Sequence, residues 1–189
     1  GWTHAGILST FFYCSQSCPF ARPPIRLRLL YNNNNRSRLL QSSRGRMKTL
    51  TLGKTGLTVS ELCLGTMTWG SNNTEAEGHA QADMAMAAGV TFWDTAEMYP
   101  TNPVRAETVG RTEAIIGSWL KSRGGRERLV LATKVAGKGP ILRPGEPTTG
   151  ATLRAALDAS LKRLGTDYVD LYQLHWPNRG GYHFRQMWN

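Results

Sequence analysis

The stretch Thr149–His175 reads TGATLRAALDASLKRLGTDYVDLYQLH and decides the fold, because it joins a helical pattern to a strand within one short segment. Gly165 suits the end of the helix, and Tyr168–Leu174 is predicted to form the strand that follows it. Residues of one predicted helix face, which is mainly apolar, recur every three or four positions. They are Leu153, Leu157, Ser160, Leu161 and Leu164. The stretch therefore predicts one helix–strand unit that ends on a polar residue, His175.

The same unit repeats toward the amino terminus. Apolar runs at Glu61–Gly65, Val90–Trp93 and Leu129–Thr133 predict three further strands. Before them, Lys48–Leu52 and Leu57–Val59 flank a Gly-Lys-Thr-Gly turn and predict a small hairpin. A long Gly- and Pro-rich loop follows the third strand.

Two predicted helices separate these strands. The first begins at the capping box Thr74-Glu75-Ala76-Glu77 and ends near Gly89, and its expected apolar face comprises Ala76, Ala80, Met84 and Ala87. The second is built around Ile116 and Leu120, with Val109 and Trp119 nearby, and ends near Arg123-Gly124-Gly125. Strands that alternate with helices of this length predict parallel βαβ units.

Two architectures fit that order, a doubly wound sheet and a (β/α)8 barrel. The doubly wound dinucleotide fold favours G-x-G-x-x-G after its first strand. The sequence there is Gly65-Thr66-Met67-Thr68-Trp69-Gly70, which does not match. The barrel is favoured because a polar residue closes each later strand.

Those polar residues form the candidate catalytic site. Asp94 closes the second strand with Tyr99 five positions later, Lys134 closes the third, and His175 closes the fourth. In a barrel the carboxyl ends of all strands open onto one face, where catalytic groups gather. The fold rule therefore brings these four residues together.

The four residue types suit the reduction of a carbonyl group. A phenol is a weak acid at neutral pH, and a nearby ammonium is expected to lower its pKa. Tyr99 would then be the acid and Lys134 its partner, while Asp94 would anchor the lysine and His175 would orient the carbonyl. Hydride would come from a nicotinamide cofactor. Lys134 alone also admits a Schiff-base aldolase on the same kind of barrel.

The motifs GTMTWG, DTAEMY, LATK and LKRLGTDYVDLYQLHWP resemble aldo-keto reductase signatures, from Lys48 to the end of the chain. The resemblance implies an aldo-keto reductase barrel, NADPH or NADP+ as cofactor and a small carbonyl substrate. It implies Tyr99 as proton donor, with Asp94, Lys134 and His175 as its partners. It also places Gly65, Thr66 and Met67, with Asp94, beside the nicotinamide, and Trp69 and Trp176 at the substrate pocket. Core packing is an equally good interpretation of Trp69.

The resemblance implies eight strands, of which this sequence predicts four. Residues 47–189 are thus expected to form the amino-terminal half of the barrel, with the last twelve residues beginning a long loop. We expect such a half to bind the cofactor weakly and to be inactive or nearly so alone. A vestigial site in a binding or regulatory subunit is the alternative.

Residues 1–46 differ in character from the rest. They hold seven arginines and no acidic residue, so they carry most of the net charge of +10 and leave +3 for the remainder. The segment is expected to be disordered. It resembles a transit peptide, and translated upstream sequence before Met47 and a cloning scar are the other interpretations.

The remaining composition excludes several classes of protein. Residues 47–189 have no basic stripe that would bind nucleic acid, and no apolar run in them is long enough to span a membrane. Cys14 and Cys18, with His4 nearby, lack a fourth ligand at zinc-binding spacing, so no metal is expected. Cys63 is expected in the core. This sparse cysteine use favours a reducing, cytoplasmic location, or an organelle if residues 1–46 are a transit peptide.

Overall fold

The computed structural model describes residues 11–13, 47–101, 103–144, 146–176, 178, 181–183 and 186–188. The strands are β1 Phe11–Tyr13, β2 Thr49–Thr51, β3 Thr58–Ser60, β4 Leu62–Gly65, β5 Phe92–Asp94, β6 Val130–Val135, β7 Leu171–Leu174, β8 Gly181–His183 and β9 Gln186–Trp188. The helices are α1 Glu75–Ala87, α2 Arg111–Arg123 and α3 Gly150–Leu164, and a 3-10 turn covers Arg126–Arg128.

The central sheet has the strand order β1-β4-β5-β6-β7. The pairs β4–β5, β5–β6 and β6–β7 are parallel and follow the order of the chain, which confirms the predicted βαβ units. The helices pack in sequence as well, α1 against α2 and α2 against α3. Sequential strands with helices side by side form a segment of a barrel, whereas a doubly wound sheet reverses its strand order.

Three short antiparallel pairings accompany the parallel strands. β2 and β3 form the antiparallel hairpin expected from the sequence. β1 pairs antiparallel with β4, and β8 pairs antiparallel with β9 in the segment expected to start a loop. The expected disorder of residues 1–46 otherwise lies outside the described residues, as do His4, Cys14 and Cys18.

Helix α1 begins as predicted but buries a different face. Thr74 and Glu77 form the capping box. The buried side is Gly78, Ala82 and Ala85, and Met84 is 70 % exposed, so the predicted face was wrong. The reason is close packing, because a Cβ at Gly78 would lie 3.0 Å from the Trp69 ring. Small residues at 78, 82 and 85 let α1 approach the sheet.

Helices α2 and α3 meet at a glycine. A Cβ at Gly117 would lie 2.2 Å from the carbonyl oxygen of Arg163, so only glycine fits there. Beside this contact the fully buried Glu113 accepts hydrogen bonds from Thr133 Oγ1 at 2.6 Å and Arg163 Nε at 2.7 Å. One carboxylate therefore ties both helices to β6, next to Lys134.

The core under the helices is rich in tryptophan. Trp93 lies between Trp69 and Trp119, with ring centroids 6.4 Å and 4.8 Å away. A second cluster contains Cys63, which confirms its core position, together with Val59, Phe92 and Ala132. Within the described ranges, none of the helices has the length and apolar character that a membrane crossing requires.

Candidate active site

The carboxyl ends of the four parallel strands meet at one edge of the sheet. Gly65 pairs with Asp94, and Lys134 pairs with Gln173 on the neighbouring strand. The His175 N–H donates to the Val135 carbonyl at 2.9 Å, which extends the pairing by one residue. The register thus brings the ends of β4, β5, β6 and β7 side by side.

Lys134 is the centre of the cluster. Its Nζ donates to Asp94 Oδ2 at 2.7 Å and to the Thr95 carbonyl at 2.8 Å, and it lies 3.4 Å from Tyr99 Oη. The Lys134 and Asp94 side chains are only 14 % and 27 % exposed. A charged amine in this setting is held by its carboxylate partner and points at the phenol oxygen.

Tyr99 is a buried phenol. Burial raises its pKa well above the ordinary value, and the negative charge of Asp94 raises it further. The sequence-based expectation that Lys134 lowers this pKa therefore differs from what the structure gives, because desolvation disfavours the phenolate more than the expectation allowed. The Tyr99 hydroxyl consequently keeps its proton at neutral pH.

His175 lies on the other side of the phenol. Its ring centroid is 5.7 Å from that of Tyr99, in an edge-to-face arrangement, and 5.2 Å from that of Trp176. Asp94, Tyr99, Lys134 and His175 are therefore brought together, as the strand-end argument predicts. The structure alone does not assign their chemical roles.

The two tryptophans assigned to a substrate pocket occupy different surroundings. Trp69 is fully buried, donates from Nε1 to Gln81 Oε1 at 2.8 Å and packs on Trp93, so its contacts favour the core-packing interpretation. Trp176 is also buried, and its Nε1 donates to the Lys138 carbonyl at 3.2 Å. Its ring covers Gly137, where a Cβ would lie 2.5 Å from it. Trp176 thus joins the end of β7 to the loop after β6.

Gly65, Thr66 and Met67 lie at the same edge. The Thr66 hydroxyl donates to the Asp94 carbonyl at 2.9 Å, so it is turned toward the backbone. Gly65 adds no side chain beside Asp94, and Met67 is half-buried and uncharged. Since none of these three residues adds a charged side chain to the edge, they are compatible with the uncharged dihydronicotinamide ring of the expected cofactor.

A buried ion pair between Glu97 and Arg143 was missed by the sequence analysis. Arg143 donates from Nη1 to Glu97 Oε1 at 2.6 Å and from Nη2 to Oε2 at 3.0 Å. Donation to the Glu97 carboxylate raises the pKa of Arg143, which stays charged. The available signal was an acidic residue inside the otherwise apolar run Ala96–Tyr99.

The comparisons with known proteins agree with this geometry. A model of the Aldo/keto reductase family matches residues 61–184. Protein tas of Escherichia coli is 52 % identical over 129 residues, which are 65 % of this chain and 36 % of that protein. The 6-dehydroglucose reductase of Novosphingobium aromaticivorans is 37 % identical over 130 residues, which are 67 % of this chain and 41 % of that protein.

A solved structure has the same fold. Aldo-keto reductase AKR11C1 from Bacillus halodurans, in its holo form, superimposes with a TM-score of 0.55 at 35 % identity, covering 68 % of this chain and 40 % of that one. The described half-barrel therefore corresponds to part of an aldo-keto reductase barrel. The chain spans well under half the length of these relatives. Since the family model covers more than half of its residues, this chain belongs to the aldo/keto reductase family.

Proposed function

We propose that this chain carries the proton-donating site of an NADPH-dependent carbonyl reductase. The overall reaction converts an aldehyde or ketone, NADPH and a proton into an alcohol and NADP+. NADPH supplies the hydride that reaches the carbonyl carbon. The observation that carries the proposal is Lys134 Nζ, which contacts both the Asp94 carboxylate and the Tyr99 hydroxyl.

Each residue of the cluster has a separate part in this proposal. Tyr99 donates its proton to the carbonyl oxygen, and its raised pKa keeps that proton available at neutral pH. The Lys134 ammonium, 3.4 Å from the phenol oxygen, stabilises the phenolate that remains. Asp94 holds the ammonium in place, and His175 orients the carbonyl beside Tyr99.

The cofactor surface in this proposal is the edge formed by Gly65, Thr66, Met67 and Asp94. The preference for NADPH over NADH rests on the family resemblance. A small carbonyl compound is the proposed substrate class. The cytoplasmic location suggested by the sequence stays a prediction.

The lysine aldolase hypothesis is disfavoured by the same contacts. A lysine that forms a Schiff base must attack as the neutral amine, which an apolar pocket or a second cation favours. Lys134 Nζ instead donates to the Asp94 carboxylate at 2.7 Å and to the Thr95 carbonyl at 2.8 Å, so the amine is engaged with acceptors rather than facing an apolar pocket. Borohydride trapping with a carbonyl compound should therefore leave Lys134 unmodified.

The proposal is tested by mixing the purified chain with NADPH and either an aromatic aldehyde or an oxidised sugar, the latter because one relative is named a 6-dehydroglucose reductase. Because the half-barrel is expected to be nearly inactive alone, the residual wild-type rate is measured at high chain and NADPH concentrations. We expect Tyr99→Phe to lower that residual rate by about 100-fold or more, the usual contribution of a general acid. Tyr168→Phe is the matched control, because Tyr168 precedes the amino end of β7, at the opposite edge.

Two results of this assay would contradict the proposal. One is a Tyr99→Phe variant that reduces carbonyls as fast as the wild-type chain. The other is tight NADPH binding, seen by fluorescence titration, without any turnover. The second result would favour the alternative in which the fold acts as a binding or regulatory subunit.

A further inference from the structure

The loop between β6 and α3 crosses the carboxyl edge of the sheet and is fixed there by the Glu97–Arg143 ion pair. The two side chains are 6 % and 11 % exposed, so solvent screens their interaction little. Arg143 Nη1 donates to Glu97 Oε1 and Nη2 donates to Oε2, the side-by-side geometry that fixes orientation as well as distance. The part of the loop that carries Arg143 is thereby tied to the segment after β5, which carries Glu97.

Glu97 also continues the pairing of β5 with β6 beyond the last strand residue. Its N–H donates to the Lys134 carbonyl at 3.1 Å, one step after the Thr95 N–H donates to the Ala132 carbonyl at 2.9 Å. At the following step the Glu97 carboxylate accepts the Ala136 N–H. Arg143 Nη1 donates to the Ala136 carbonyl at 3.0 Å. One ion pair therefore satisfies both backbone groups of Ala136, two residues after Lys134.

The turn that carries Tyr99 begins at the same place. The Tyr99 N–H donates to the Ala96 carbonyl at 3.1 Å, so Glu97 lies inside this tight turn. Movement of Glu97 would shift the phenol on one side and the strand end that bears Lys134 on the other.

We infer that Glu97 and Arg143 are positioning residues, which hold the Tyr99 turn and the end of β6 together so that Lys134 stays against the phenol. The inference deepens the proposed function and rests on it only for the role of Tyr99 as proton donor. Neither residue needs to touch the substrate or the cofactor.

The chain offers a matched control for this pair. Arg123 and Asp83 form another two-point ion pair, which joins α1 to α2 far from the strand ends. Their side chains are 48 % and 45 % exposed. Arg123→Met therefore removes an equivalent guanidinium without disturbing the site.

The test uses the whole chain and two readouts that need neither cofactor nor substrate. The first is the rate at which tetranitromethane nitrates Tyr99, measured on peptides by mass spectrometry with Tyr168 as the internal reference. The second is the hydrogen-exchange rate of the Ala136 amide, with the Ile116 amide as the reference. For Arg143→Met we expect each rate to rise about tenfold or more relative to its reference.

Conservative and compensated variants complete the design. Arg143→Lys should restore part of the protection, because lysine keeps the charge but lacks the two-point geometry. The double variant Glu97→Gln with Arg143→Met leaves no unpaired buried charge, so it supplies the same readouts if Arg143→Met does not fold. Arg123→Met should change neither rate.

Wild-type protection of Tyr99 and Ala136 in a folded Arg143→Met or double variant would overturn the inference. An equal rise at the reference sites would overturn it too, because that result indicates general loosening of the fold. A Tyr99→Phe variant that reduces carbonyls as fast as the wild-type chain, together with the expected local changes in Arg143→Met, would reject the proposed function and keep the positioning role.

Discussion

At the scale of single residues, Lys134 holds the candidate site together. Its Nζ contacts three groups: the Asp94 carboxylate, the Thr95 carbonyl and the Tyr99 hydroxyl. The lysine itself lies on β6. One side chain therefore links two strands and the turn between β5 and α2.

Lys134→Met should lower the free energy of unfolding by about 1–3 kcal/mol, because it leaves the half-buried Asp94 carboxylate without its charged partner. Urea denaturation followed by circular dichroism measures the change. Lys138→Met is the control, since Lys138 is exposed and should change stability by less than about 0.5 kcal/mol. Equal effects of the two substitutions would mean that the Asp94 contact contributes nothing to the fold.

The sequence alone locates some of these residues and not others. Asp94, Lys134 and His175 could be placed because each closes an apolar strand, and parallel strands share one carboxyl edge. Arg143 could not, because it lies in a loop without any period, and only the folded chain shows that it meets Glu97. The sequence did not predict that the pKa of Tyr99 is raised, because the burial of a side chain depends on neighbours from several elements.

At the scale of elements, close packing decides which helix faces are buried. The predicted faces of α2 and α3 contain large apolar residues, and Ile116, Trp119, Leu120 and Leu164 are indeed buried. In α1 the alanines and the glycine lie on both sides of the helix, so periodicity could not distinguish the two sides. The face that approaches Trp69 most closely is the buried one.

Gly117→Ala should destabilise the chain by about 1–3 kcal/mol, because the new methyl group collides with the backbone of α3 at Arg163. Gly150→Ala is the matched substitution at a helical glycine with free space, where a Cβ would lie 3.6 Å from its nearest neighbour, the Arg154 guanidinium. It should be neutral or stabilising by up to about 1 kcal/mol. Thermal unfolding of both variants measures the contrast, and similar melting temperatures would refute the close approach of α2 and α3.

At the scale of the whole molecule, the buried phenol of Tyr99 and the half-buried phenol of Tyr172 predict how stability depends on pH. Burial raises the pKa of Tyr172 from 10.0 to about 12, and burial raises the pKa of Tyr99 as well. In the unfolded chain both phenols ionise near their ordinary value, so ionisation favours unfolding once the pH exceeds about 10. The stability that these groups contribute is complete below pH 10. It is lost as the pH rises toward the pKa values that the two phenols have in the folded chain.

Urea midpoints measured from neutral pH to pH 11 test this prediction. The wild-type midpoint should fall more steeply above pH 10 than that of the double variant Tyr99→Phe with Tyr172→Phe, which has no phenol at either position. Any alkaline loss common to both proteins belongs to other groups, such as lysines. Parallel curves would show that the two phenols are solvated in the folded chain.

The sequential strand order has a consequence for synthesis on the ribosome. β5, β6 and β7 each pair with the strand made just before, so none of these three strands has to wait for a distant partner. A growing chain can dock each βα unit as it leaves the exit tunnel. Lys134 then finds Asp94 already in place, and the ring of His175 arrives last, against a tyrosine whose surroundings are already built.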